Sequence, residues 1–311
     1  MILCLGTTPA AQRVMVFNTF GLDMVNRAAT TLDGAAGKSI NVVKVLKALG
    51  EEPLATGFLG GDRGAELASI LSRLGVRAEF VRVNARTRQC ITILDQSSGE
   101  HTELVEESLA VTAEEFDQLE RIVNRWLPDS RAIVMSGTLA PGVPKDFYAR
   151  CVRHAHSAGV LSVVDDQGPP LIECLAARPG LVKPNRSELS ATVGRALATE
   201  EDLVSAMREL HEGGAERIVV TAGKDPTLAF DGQRVWRVTA PRIQAVNPIG
   251  SGDSFTAGLT SRLVRGDDLG EACRWAAAAG TANALTLMAG EVDPAEVHRL
   301  LPETRVQMVQ G

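Results

Sequence analysis

Asn247-Pro-Ile-Gly-Ser-Gly-Asp-Ser254 holds the residues of this 311-residue chain best suited to chemistry. Its glycines let the backbone turn sharply and aim successive N–H groups at one point, at the positive end of a helix read from Ser254 to Leu263. Gly250, Ser251 and Gly252 are therefore candidates for an anion hole around a transferring phosphoryl group. Asp253, at the helix start, is a candidate to accept a proton from an attacking hydroxyl. Losing one preorganised donor from such a hole typically costs about 3 kcal/mol of transition-state stabilisation. A Gly-rich turn capped by an aspartate would look the same over these four residues, so the segment has to be read in its setting.

The elements that must position it are short apolar runs alternating with helical stretches. Ile2 to Leu5, Ala132 to Met135, Leu161 to Val164 and Arg217 to Thr221 are continuous rather than alternating, as expected of parallel strands covered on both faces. A further strand is read from Val235 to Ile243. Helices are expected over Asn41 to Leu49, with Lys44 and Lys47 facing away from the apolar stripe, and over Glu66 to Leu74, Asp202 to His211 and Glu271 to Leu287. Thr112-Ala-Glu-Glu115 reads as a capping box opening another. The fold class that follows is α/β, a three-layer, doubly wound, mostly parallel sheet in one domain over 1–311. Two regions break the rhythm, about 13–31 and 86–104. Their alternating patterns, with a turn at Ser97-Ser-Gly-Glu100, predict a small projecting sheet.

Composition narrows the function. With 45% hydrophobic and 23% charged residues the chain reads as an ordinary globular protein, and its net charge of −6 offers no basic footprint for nucleic acid. The five cysteines are scattered without a CxxC pair, which suits a reducing cytoplasm better than a disulfide framework or zinc site. No run approaches the roughly 18 apolar residues of a membrane span. The N-terminal Met-Ile-Leu-Cys-Leu-Gly reads as a strand rather than a signal peptide, so a cytoplasmic location is expected.

Four further segments stand in order along the chain: Gly37-Lys-Ser-Ile-Asn41; Gly57-Phe-Leu-Gly-Gly-Asp-Arg-Gly64 with Leu74-Gly75-Val76; Ser136-Gly-Thr-Leu-Ala-Pro-Gly-Val143; and Lys183-Pro-Asn-Arg-Ser-Glu188. Together with the 247–254 loop they resemble the PfkB, or ribokinase-like, carbohydrate kinases. The nearest branch is that of 1-phosphofructokinase and tagatose-6-phosphate kinase. The resemblance implies ATP and Mg2+, in some members a K+ ion, a lid formed by the small sheet, and a homodimer through those lids. It implies that Asp253 is the catalytic base. Asn185 and Glu188 would organise magnesium through water, a role that a carboxamide and a carboxylate suit, and the same pair can serve as a helix cap and its box partner. Thr221, Gly223 and Lys224 resemble the nucleotide loop, and Asn283 corresponds to an adenine-side position. Gly37, Lys38, Ser39, Asn41, Arg88 and Ser136 fall on the sugar side. Lys38 and Arg88 are read as holding a phosphate already on the substrate, since an ammonium and a guanidinium fork suit a dianion.

The chain departs from the branch in two places. Thr8-Pro-Ala-Ala-Gln12 stands where Asn-Pro-Ala-x-Asp is usual, so Gln12 offers a carboxamide to the sugar. Ser39 replaces a glycine and adds a side chain where substrate would approach. Gly34-Ala-Ala-Gly-Lys-Ser39 is two residues too short for a P-loop. The expectation is an ATP-dependent kinase of a sugar phosphate. A kinase of an unphosphorylated sugar or nucleoside, and a non-catalytic sugar-phosphate or nucleotide sensor on the same scaffold, are the alternatives.

Overall fold

A computed structural model describes residues 1–310. The chain opens with β1 (Ile2–Leu5), passes through β2 (Ala10–Phe17) and β3 (Thr30–Ala36), and continues with α1 (Lys38–Ala48), β4 (Pro53–Leu59), α2 (Gly61–Arg73) and β5 (Arg77–Arg82). Strands β6 (Arg88–Asp95) and β7 (His101–Val105) precede α3 (Ala113–Trp126), β8 (Ala132–Ser136), α4 (Phe147–Ser157), β9 (Leu161–Asp165), α5 (Pro169–Leu175) and β10 (Leu181–Val182). Then come α6 (Arg186–Val193), α7 (Glu200–Glu212), β11 (Ile218–Ala222), β12 (Asp225–Phe230), β13 (Val235–Thr239), α8 (Ser251–Leu263), α9 (Leu269–Ala284), α10 (Pro294–Leu300) and β14 (Arg305–Gln310).

The main sheet has the order β14-β13-β12-β11-β10-β9-β8-β1-β4-β5, parallel from β5 across to β11 and antiparallel beyond. Period-two side-chain alternation sends each strand's residues to opposite layers. Leu3, Leu5, Ile133 and Val164 pack with Phe116, Leu119, Val152 and Met207 of α3, α4 and α7 on one face. Ile2, Cys4, Val134 and Val163 pack with Ile40, Leu67, Phe255 and Ala276 of α1, α2, α8 and α9 on the other. Both faces are covered, which is why the strands are apolar throughout. The chain winds from β1 outward to β4 and β5, then returns to β8 on β1's other side, so the crevice at the carboxyl end of β1 is a topological switch point.

The small sheet has the order β3-β2-β6-β7, with β2 and β6 parallel. It starts earlier and ends later than its alternating pattern suggested: β2 begins at Ala10, 18–29 is not strand, and β3 runs on through Gly34-Ala-Ala36. Ala35 and Ala36 are buried where the sheet meets the main domain, and Gly34 lies under the tip of Met288. Helices α1, α2 and α8 begin before their apolar stripes, since their first turns consist largely of glycine and polar residues. Helix α9 stops at Ala284 rather than Leu287, where Thr286 Oγ1 engages the carbonyl of Asn283 at 2.8 Å. Strand β13 ends at Thr239, two residues before Pro241. Lys44 does not face solvent as its place outside the stripe predicted; it is buried. The Thr112–Glu115 capping box is present.

Candidate active site

Strand ends and helix starts bring the chemistry together at the switch point. The segment Gly6-Thr-Thr8 leaves β1, Ser136-Gly137 leaves β8, Asp165-Asp166 ends β9 and Lys183 follows β10. Helix α1 starts behind Gly37, whose φ of 101° and close fit (a Cβ would lie 2.9 Å from Pro9 Cα) require glycine. Helix α8 starts behind Gly250, at φ 83°.

Asp253, in the first turn of α8, is buried and accepts a hydrogen bond from Asn41 Nδ2 at 2.8 Å. Burial pushes its carboxyl up to about 6, with Asp165 adding to the rise while Lys38, Asn41 and Lys183 oppose it. That places it nearer than a free carboxylate to the range a general base needs. Asp165, which the sequence reading did not single out, is the hub of the surrounding charge. It lies 3.2 Å from Lys183 Nζ and 3.6 Å from Lys38 Nζ and accepts from Thr256 Oγ1 at 2.7 Å. The two cations hold it below the usual carboxylate range despite burial. The available signal was two aspartates at the carboxyl end of a buried parallel strand next to a switch point.

The cradle is held from behind. Asn283 is wholly buried: Nδ2 donates to Ile249 O (2.9 Å) and Ser251 Oγ (3.3 Å), and Oδ1 accepts from Ser254 Oγ (3.1 Å) and Gly290 N (2.7 Å). Its amide is saturated with loop contacts, so the structure gives it a positioning place in the loop instead of one facing a nucleotide base. Asn247 does the same from the other side, donating to Leu287 O and accepting from Ile249 N. A Cβ built on Gly252 meets nothing within 4 Å, so this glycine faces the open crevice.

Asn185 caps α6 in a capping box: Glu188 N donates to Asn185 Oδ1 at 2.9 Å and Asn185 N to Glu188 Oε2 at 2.8 Å. The other carboxylate oxygen, Oε1, receives Lys38 at 3.3 Å. Asp166 stands in the same acidic patch; burial, with Asp165 and Glu188 adding, pushes its carboxyl up to about 7, while its Oδ2 is buried without a protein partner. An orphaned carboxylate oxygen beside Glu188 fits a hydrated divalent cation, and Mg2+ is commonly held by one or two carboxylates, waters and phosphate oxygens. Asp166→Asn is expected to raise the Mg2+ concentration for half-maximal activity about tenfold, read from a Mg2+ titration at saturating ATP. An unchanged titration would remove Asp166 from the metal's surroundings.

Thr221 pairs with Asn185 in an isolated bridge, which sets the β11–β12 turn beside the cap. Gly223, at φ 63°, and Lys224 are exposed on that turn. On the opposite side, Gln12 of β2 is buried with Nε2 3.5 Å from Thr92 Oγ1. Its Oε1, Ser136 Oγ and Asn41 Oδ1 are all buried without a protein partner. Ser39 does not project into the crevice: a Cβ at Gly6 would lie 2.0 Å from its Oγ, so the hydroxyl occupies room that glycine leaves at the end of β1. Arg88 Nε donates to Thr8 O at 3.1 Å and Nη1 to Glu106 O at 3.4 Å, and the preceding Thr87 accepts from Gly60 N through Oγ1 at 3.0 Å. Lys38 reaches the carboxylates rather than sharing a contact with Arg88; the Cβ position of Gly137 lies 3.6 Å from Lys38 Cβ and from Thr8 Oγ1, and Thr8 O is the group that Arg88 engages.

Cavities of about 680 Å³ between α2 and β5 and about 670 Å³ along α6 lie elsewhere and carry none of these catalytic candidates. Converging polar groups mark the site better than volume does.

A buried carboxylate behind an anion cradle, at the switch point of a three-layer sheet, places the chain among the α/β kinases of small molecules. It belongs to the pfkB family of carbohydrate kinases, whose profile matches residues 1–295. A tagatose-6-phosphate kinase of Staphylococcus epidermidis is 31% identical over 309 residues, covering 98% of this chain and 99% of the relative. Phosphofructokinase-2 of Escherichia coli, solved in complex with potassium, is 27% identical with a TM-score of 0.87 over 97% of each chain. The ribokinase of Arabidopsis thaliana, at 20% identity and a TM-score of 0.74 over 96% of this chain and 97% of that one, shares the fold. Among the described residues no helix is long and apolar enough to cross a membrane.

Proposed function

We propose that this protein transfers the γ-phosphoryl group of ATP to a hydroxyl of a sugar phosphate, with fructose 1-phosphate and tagatose 6-phosphate as first candidates. The observation that carries the reading is Asp253, buried, held by Asn41 and set behind a glycine cradle that is open at Gly252. In this mechanism the substrate hydroxyl lies against Asp253, which takes its proton as the oxygen attacks phosphorus in line. The N–H groups of Gly250 and Gly252 and the Lys38 ammonium stabilise charge on the transferring group, while Ser251 N is engaged by Pro248 O at 3.2 Å within the turn. Thr221, Gly223, Lys224 and Asn185 line the nucleotide side, and Asp166 and Glu188 would hold Mg2+ largely through water. When bound, that ion neutralises phosphate charge.

Gln12, Asn41 and Ser136 supply the unpaired polar atoms for the sugar's hydroxyls, and Arg88 the fork for the phosphate it already carries. Lys38 is moved in this reading from that phosphate to the reacting one, because it faces Asp165 and Glu188. Arg88→Ala is expected to raise KM for the sugar phosphate by about 10- to 100-fold and leave KM for ATP within twofold. Equal effects on both substrates would remove Arg88 from the sugar side.

A panel of phosphorylated and free sugars, followed by ATP consumption, tests the function. Turnover of a free sugar as fast as its phosphate would favour the unphosphorylated acceptor, and tight binding without ATP consumption would favour a sensor. Repeating the assay with and without KCl tests a monovalent cation. A homodimer through the small sheet is supported by the exposed Leu22 (88%), Met24 and Val25 between β2 and β3, and by Leu104 and Val105 on β7. A monomer by sedimentation at assay concentration would refute it.

A further inference from the structure

Lys44 is a buried charge to which the mechanism above assigns no role. It lies on α1 one turn beyond Asn41, is 8% exposed, and donates from Nζ to the carbonyl of Ala289 at 2.5 Å. Burying an ammonium is costly unless something needs it there. The turn it grips touches both halves of the reaction centre. Gly290 packs so closely on α1 that a Cβ would stand 2.6 Å from Asn41 Cα and 2.9 Å from Asn41 Oδ1. On its other side the turn meets Gly250, where a Cβ would stand 2.8 Å from Gly290 N and 2.9 Å from Ala289 Cβ. The Ala289–Gly290 turn is thus a wedge between the residue that holds Asp253 and the glycine that begins the cradle.

We propose that Lys44 is a positioning residue for phosphoryl transfer: by pinning Ala289 it seats the wedge that sets Asn41 against Asp253 and keeps Gly250 in register. The inference rests on the reading of Asp253 as the base. Loss of Lys44 leaves the nucleotide contacts named above in place but frees the wedge that seats Asn41, so the effect falls on kcat and, through Asn41, on the KM for the sugar. The ammonium also adds positive charge near Asp253. Glu291 and Asp253 are the acidic groups that favour the charged form of Lys44, while burial pushes it down to about 8. Around Asp253 itself stand Asp165 from β9, Lys38 and Asn41 from α1, and Lys183 after β10.

The test is steady-state kinetics of Lys44→Met and Lys44→Gln, each also in an Asn41→Ala background. Lys44→Gln keeps an N–H for Ala289 and serves if the methionine variant does not fold. Lys44→Met is expected to lose about 10- to 100-fold in kcat with the KM for ATP within twofold, and Lys44→Gln to recover part of that loss. Because Lys44 acts through Asn41, either substitution should cost at most about threefold more when Asn41 is already alanine. A rise in KM at unchanged kcat, wild-type kcat in both variants, or losses that multiply fully with Asn41→Ala would overturn the proposal. An Asp253→Asn variant of undiminished activity would instead overturn the assignment of the base, so the two failures are distinguishable.

Discussion

Asp253→Asn is expected to lower kcat by about 10²- to 10⁴-fold, the range that a positioned general base contributes, while leaving the protein at least as stable at pH 8. The two halves of that result have one cause. An aspartate whose pKa in the fold lies above its unfolded value stabilises the fold only when protonated. Here that contribution is complete below about 3.8 and lost as the pH rises through about 6, so at neutral pH the ionised side chain is a burden on the fold. A neutral carboxamide removes that burden, which is on the order of 3 kcal/mol before the lost charge-assisted bond to Asn41 is set against it. The thermal midpoint of the variant should therefore match or exceed that of the parent at pH 8 and lose the advantage below pH 4. In the parent, kcat/KM should fall on the acid side near pH 6, where Asp253 takes up its proton. Near-normal turnover by Asp253→Asn, or a marked drop in its melting temperature at pH 8, would show that the carboxylate serves the fold and not the reaction.

Gly250→Ala and Gly252→Ala should fail in opposite ways. At 252 the backbone is helical and a methyl group would point into open crevice, so the substitution should be neutral or stabilise α8 by roughly 0.5–1 kcal/mol. The same methyl would occupy the space where a phosphoryl group meets the cradle, and kcat should fall by about 100-fold or more. At 250 the φ of 83° and the 2.8 Å approach to Gly290 N leave no place for a side chain. Gly250→Ala should destabilise the protein by about 2–4 kcal/mol as well as disable it, because the wedge against Asn41 must shift. Melting curves and single-turnover kinetics on the pair would separate cradle from scaffold. Active Gly252→Ala would mean that no anion is bound at this face.

The contrast between these glycines marks the limit of what could be read along the chain. Both stand in Gly-Ser-Gly-Asp, and sequence alone makes them equivalent donors; only the fold shows that one is packed against a neighbouring turn and the other is not. Ser39 is a similar case. As a string it adds bulk at the sugar, whereas in three dimensions it fills room that Gly6, thirty-three residues earlier, leaves open. The family resemblance puts Asn283 on the adenine side, but its four hydrogen bonds all turn inward, to Ile249, Ser251, Ser254 and Gly290.

Periodicity and glycine placement by themselves determined the layered α/β class, the helix that follows the Gly-Ser-Gly-Asp turn and the small second sheet. Those features are local: a strand's apolar run, a helix stripe and a turn's need for glycine each depend on neighbours within a few residues. Tertiary structure alone decided that Asp165 stands between Lys38 and Lys183, that Lys38 also reaches Glu188, and that Lys44 is buried. Each depends on contacts between segments far apart in sequence, Lys44 with Ala289 and Asn41 with Asp253, which no pattern along a single helix can express.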